Sequence, residues 1–285
     1  MINNFDETIK KELTERLKKI EEHLDSDVVF FFGPIEPGLE KLFRDFIETL
    51  KAERDKEKLS IIVNTPGGSA ETVEKMVTIT RQHYDTVDFI VPDSAMSAGT
   101  IFCMSGDNIY MDYSASLGPI DPQVYNGHRW VPALGYLDKF EELVQKSQQQ
   151  PLSQAELFLL QQQDMAMLTS YEQARDLTVS LLKQWLVEYK FKNWDTHASN
   201  GTAVTPQEKE ERAGEIAKIL GDNRRWHSHG RAISMKTLQE VLKLKIIDFG
   251  QDQNLKVLLR DYNDMLCEYI RRHNNRSFLH SRVFF

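Results

Sequence analysis

Ile61-Ile62-Val63-Asn64-Thr65-Pro66-Gly67-Gly68-Ser69 decides the fold. Three β-branched residues in succession read as a buried strand, Pro66-Gly67-Gly68 ends it, and Glu71 to His83 follows with helical spacing at Val73, Met76, Val77 and Thr80. Upstream, Val28 to Phe32 is a second apolar strand stopped by Gly33-Pro34, and Pro37 to Arg54 carries a helical stripe through Leu39, Leu42, Phe43, Phe46, Ile47 and Leu50. Downstream, Val87 to Val91 is a strand, Ala98 to Ser105 a short helix and Ile109 to Met111 a further strand. Strand and helix alternate throughout, which predicts βαβ units and a largely parallel sheet. In such sheets functional residues gather beyond the carboxyl ends of strands. The Pro-Gly-Gly turn falls there.

A second segment, Ala95-Met96-Ser97-Ala98-Gly99-Thr100, falls at the next strand end. Acyl transfer needs an exposed nucleophile, a base to take its proton, and N–H donors aimed at the oxyanion. Ser97 stands before small residues that allow a tight strand-to-helix turn. Gly67 and Gly68 lack the Cβ atoms that would block a backbone N–H from a cleft. Ser97 is thus the candidate nucleophile, and the N–H groups of Gly68 and Ala98 the candidate oxyanion hole. Taken singly, each segment is an ordinary turn or helix cap; their pairing at successive strand ends carries the reading.

Composition narrows the classes. The 285 residues hold 35 Lys+Arg against 43 Asp+Glu, a net charge of −8, which disfavours a general nucleic-acid or anionic-membrane surface. Cys103 and Cys267 stand far apart and form neither a disulfide framework nor a thiolate metal cluster, so a reducing cytoplasm is the expected compartment. No segment has the roughly 20 apolar residues of a membrane span. Neither a Walker-type nor a dinucleotide glycine motif occurs, so no cofactor is expected.

After Tyr136 the chain reads as mainly helical, over Leu137 to Gln150, Ser153 to Lys190 and Pro206 to Leu220, with Ser153 and Glu156 forming a capping box. Seven glutamines between Gln148 and Gln163 leave an apolar stripe intact, and residues 193–205 read as a loop. The expected organisation is an N-terminal helix (1–25), an α/β core (26–135) and a helical extension packed on it (136–285).

Ile61 to Ser69, Ser94 to Gly99, Gly106-Asp107-Asn108-Ile109-Tyr110-Met111 and Leu117-Gly118-Pro119-Ile120-Asp121-Pro122-Gln123 together resemble the Clp protease and signal-peptide peptidase superfamily, and within it the serine dehydrogenase proteinase family. The likeness is dense over 28–123 and looser to Phe249. It implies a ClpP/crotonase-like spiral of βαβ units, Ser97 as nucleophile, Gly68 and Ala98 as oxyanion donors, and a homo-oligomer acting on peptides. In the Clp proteases a histidine follows the serine where this chain has Gly118-Pro119-Ile120-Asp121-Pro122. The signal-peptide peptidases use a lysine instead, which here admits Lys139 and Lys146, with Lys139 the first choice and a lysine general base the expected mechanism.

His128 is a lesser candidate base. His227 and His229 make a weak metal pair without a third ligand, so no metal is expected. Asp121 either positions the base or caps a turn. Trp185, Tyr189, Phe191 and Trp194 suggest core packing more than a ligand box. Two other readings share this fold: a catalytically silent oligomeric scaffold, and a hydrolase of acyl esters or thioesters.

Overall fold

The computed structural model describes residues 4–54, 56–125, 128, 130–197 and 201–285. Its centre is a six-stranded sheet. β1 (Asp27–Phe32), β2 (Lys58–Asn64), β3 (Thr86–Ile90) and, after the two-residue β4 (Ser94–Ala95), β5 (Asn108–Met111) run parallel as neighbours. The crossovers are α1 (Asn4–Leu24) leading in, α2 (Leu39–Glu53), α3 (Ala70–His83) and the buried seven-residue α4 (Ala98–Met104).

The parallel strands are apolar on both sides because both faces are covered. Alternation along each strand sorts their side chains. Val29, Phe31, Ile61, Val63 and Phe89 face a large core shared with α2, α3, α4 and the later helices. Val28, Phe30, Ile62 and Ile90 face a second, smaller core. That one is closed by Leu13, Leu17 and Ile20 of α1 and by residues of the last helix.

Beyond β5 come the short β6 (Ser116–Leu117), the hairpin β7 (Gln123–Tyr125) and β8 (Trp130–Pro132), and α5 (Ala133–Gln149). The single helix expected over Ser153 to Lys190 is three pieces. The capping box starts α6 (Gln154–Gln161), as the sequence suggests. Asp164 then accepts from the N–H groups of Ala166 and Met167 and starts α7 (Met165–Trp185), so a second N-cap breaks the run. The last turn, Leu186–Lys190, is π-helical, with Phe191 N–H donating to Leu186 O at 2.7 Å. Trp185 is buried in the large core and the Arg81 guanidinium covers Tyr189 at 3.8 Å, so packing accounts for these two aromatics.

α8 (Pro206–Leu220), α9 (Asn223–Trp226), β9 (Ile233–Ser234), α10 (Met235–Glu240), β10 (Ile247–Asp248), α11 (Gln253–Arg272) and β11 (Phe278–His280) complete the chain. The sheet order is β10-β5-β3-β2-β1-β11, with β11 antiparallel to β1. Both outer strands therefore come from a region whose sequence reads as helical, because two or three residues are too short to show a period. A small second sheet, β4-β6-β9, is built beside the carboxyl ends of the main strands.

The β11 register brings His280 opposite Phe30, wholly buried, with Nδ1 2.7 Å from the Tyr262 hydroxyl. Burial pushes its pKa from 6.5 down to about 3, so the fold holds the imidazole neutral. The unfolded chain then binds more protons than the native one between about pH 6.5 and 3, and stability falls as pH drops through that window. Thermal unfolding at pH 7 and pH 5 should show a steeper loss for the wild type than for His280→Gln. Parallel profiles would count against it.

Candidate functional site

The two turn segments meet. Thr65 N–H donates to Ser94 O at 3.0 Å and Met96 N–H to Thr65 O at 3.0 Å, a parallel bridge of Thr65 to Ala95 just past β2. Gly67 has φ +100°, and a Cβ there would lie 2.6 Å from Met96 O, 2.7 Å from Ser97 Cβ and 3.2 Å from Ala98 N. Only glycine permits that approach. Gly68, φ +149°, is held from behind by Ile35, whose N–H donates to Gly67 O and whose carbonyl accepts from Ser69 N–H, both at 2.8 Å. Neither Gly68 N–H nor Ala98 N–H donates a backbone bond among the described residues. The second stands at the first position of a helix, where no intrahelical acceptor exists.

Ser97 itself is half-buried and sits at φ +53°, ψ −119°, a conformation a serine adopts only under constraint. Its side chain makes no cap bond, leaving the hydroxyl unengaged by α4.

The Leu117–Gln123 segment lies against this turn. Thr100 Oγ1 of α4 accepts from Gly118 N–H and has Ala95 O and Gly118 O as acceptors for its one hydrogen, each at 2.9 Å, and a Cβ on Gly118 would stand 3.2 Å from Met96 Cα. Three residues on, the Asp121 carboxylate is buried. Its Oδ2 accepts from Gln123 Nε2 at 2.8 Å and its Oδ1 lies 2.9 Å from His229 Nδ1. A carboxylate only accepts, so neutral His229 carries its hydrogen on Nδ1 and its lone pair on Nε2. The pairing of Leu117 with Ile233 brings His229 here, four residues before β9.

Lys139 is on the solvent side of α5, its Nζ 2.9 Å from Glu142 and its side chain 57 % exposed. Lys146 pairs with Glu156 at 2.6 Å. His128 is exposed, and His227, with φ +60°, caps α9 while its neighbour His229 turns to Asp121. Sequence reasoning weighed Asp121 and His229 separately. The signal available was that a carboxylate before Pro122 in an apolar stretch needs a buried partner.

A model of the ClpP-like SDH-type serine proteinases matches residues 30–206. The chain belongs to that family, and its α/β core has the ClpP-like fold that the four motif segments together imply. Two uncharacterized proteins of Methanocaldococcus jannaschii are 30 % and 32 % identical to it over 80 residues, 28 % of this chain. The matched stretch spans only 27 % and 28 % of those relatives' lengths. Among solved structures, a substituted form of a membrane-bound stomatin-specific protease superposes with a TM-score of 0.47 at 14 % identity, over 80 % of this chain and 82 % of that one. ClpP1 from Listeria monocytogenes gives 0.44 at 13 %, over 80 % and 95 %. Among the described residues no helix is long and apolar enough to cross a membrane.

Proposed function

We propose that the protein is a serine peptidase in which Ser97 attacks a peptide carbonyl. The observation that supports this is the close approach of the Gly67 backbone to Ser97 and Ala98, together with a Ser97 hydroxyl that makes no cap bond and Gly68 and Ala98 N–H groups that donate no backbone bond among the described residues. Ser97 Oγ bonds to the carbonyl carbon as its proton passes to the base, and the tetrahedral oxygen takes its negative charge between Gly68 N–H and Ala98 N–H. The base then hands that proton to the amine as the C–N bond breaks and an acyl-enzyme forms; water gives its proton to the same base as it attacks the acyl carbon, and Ser97 Oγ leaves with that proton, releasing the carboxylic acid.

For the base we infer His229: its partner Asp121 lies three residues past Gly118, which packs on Met96, and holds Nδ1–H so that Nε2 is left to accept. Lys139 is the second reading. In its favour, α5 begins from the same segment, where Ala133 N–H donates to Pro122 O at 2.9 Å. Against it stands its position on the solvent side of α5, paired with Glu142.

Exposed Phe158, Met165 and Met167 near the α6–α7 break favour a homo-oligomer formed through these helices. Two free cysteines suit a reducing cytoplasm. A fluorophosphonate probe should label the wild type at one residue, and Ser97→Ala should remove the label while preserving the melting temperature. A folded protein that stays unlabelled would favour the scaffold; labelling with turnover of thioesters but not peptides would favour the acyl hydrolase.

A further inference from the structure

Thr86 and Asn108, the first residues of β3 and β5, border a cavity of about 920 Å³ on the sheet edge opposite Ser97. Its size lies in the range of small-molecule sites and well above what one inorganic anion fills. In a chain of net charge −8 its wall is the reverse of the average: Lys190, Lys192, Arg212, Lys243 and Lys245 against a single carboxylate, Asp107.

Not all of that charge is spoken for. Asp107 is already held by Arg81 at 2.8 Å and by Lys192, and Arg212 pairs with Glu215 and the Leu242 carbonyl. Lys190, Lys243 and Lys245 have no ion pair within 4.0 Å among the described residues. The Lys190 amine reaches only the Asp107 carbonyl, at 3.4 Å. Burial, reinforced by Lys245, lowers its pKa to about 8, although the nearby carboxylates of Asp88 and Asp107 pull the other way. Lys190 is the desolvated member of the three, and its charge is unfavourable there until an anion arrives, while the exposed Lys243 and Lys245 stand at the mouth in water.

The same wall carries rings. Phe191 and Trp194 meet edge to face at 5.4 Å, and Trp194 meets His197 at 5.6 Å, so the partly exposed indole is braced on two sides. The π-turn at Leu186–Lys190 ends at this wall, which Lys190 and Phe191 both line. Such turns are rare and gather at functional sites. Three unpaired ammonium groups ask for more than one negative charge, and a braced indole offers a stacking face for a planar base.

We propose that this cavity binds a nucleoside phosphate, with the phosphate chain against Lys190, Lys243 and Lys245 and the base against Trp194. The site stands apart from Ser97 and does not depend on the peptidase reading.

Isothermal titration of the full chain with ADP, with adenosine alone and pyrophosphate alone as separate arms, tests it. ADP should bind with a dissociation constant on the order of micromolar, and each fragment at least about tenfold more weakly. The exposed pair Lys243→Ala/Lys245→Ala should weaken ADP by about a hundredfold at unchanged melting temperature, and Trp194→Ala by about tenfold. No binding at millimolar ADP, binding untouched by the lysine pair, or pyrophosphate as tight as ADP would each overturn the assignment.

Discussion

His229→Ala is expected to slow fluorophosphonate labelling of Ser97 and peptide turnover by about 10²- to 10⁴-fold, with labelling by Lys139→Ala unchanged. A serine hydroxyl at neutral pH keeps its proton, so acylation needs an acceptor at the instant the C–O bond forms. The His229 ring is oriented by a buried carboxylate, through the 2.9 Å contact of Nδ1 with Asp121. Asp121→Asn leaves the ring in place while removing the charge that favours Nδ1–H and stabilises the imidazolium, so it should fall between the two. This ordering separates a base from a merely structural histidine, whose loss would lower the melting temperature and labelling together. Labelling abolished by Lys139→Ala and intact in His229→Ala would move the base to the lysine.

Arg282→Met should have the largest effect on stability, a loss of about 3 to 5 kcal/mol, or about 5 to 8 °C in melting temperature. Arg282 comes from beyond β11 to a cluster between α1 and β1. Its Nη1 lies 2.7 Å from Glu21 and 2.8 Å from Asp27, and its Nη2 donates to Leu50 O at 3.2 Å. Arg54 supplies the second guanidinium, at 2.8 Å from Glu21 and 3.2 Å from Asp27, and Tyr84 donates to Asp27 at 2.8 Å. Two buried carboxylates balance two guanidiniums, so removing one strands a charge away from water. Burial already raises the Glu21 carboxyl, with Val28 N–H and Arg282 opposing it. In the variant it should rise further. A carboxyl whose folded pKa exceeds its unfolded value costs stability as pH climbs above that unfolded value, so the deficit should be wider at pH 8 than at pH 5. Glu21→Gln/Arg282→Met should recover part of it. A single variant melting with the wild type would show that Arg54 and solvent suffice.

What the sequence discloses follows from how local each constraint is. The Pro66-Gly67-Gly68 turn and Ser97 are legible because their backbone requirements are met within a few residues, and strand–helix alternation is legible because each unit carries its own period. The pairing of β11 with β1 is not, since three residues near the end of the chain acquire a strand's character only from their partner. The contact of Asp121 with His229 spans 108 positions and depends on β6 and β9, two residues each. The break before α7 was written in Asp164, but an apolar stripe running through the glutamines masks it.

The backbone at residue 97, φ +53° and ψ −119°, has a consequence for how such a chain changes over generations. That conformation suits glycine and costs any other residue on the order of 1 to 3 kcal/mol. Drift judged by folding alone would therefore carry position 97 toward glycine, toward a sturdier protein without the hydroxyl. On the proposed peptidase reading, the nucleophilic hydroxyl is what offsets that slope.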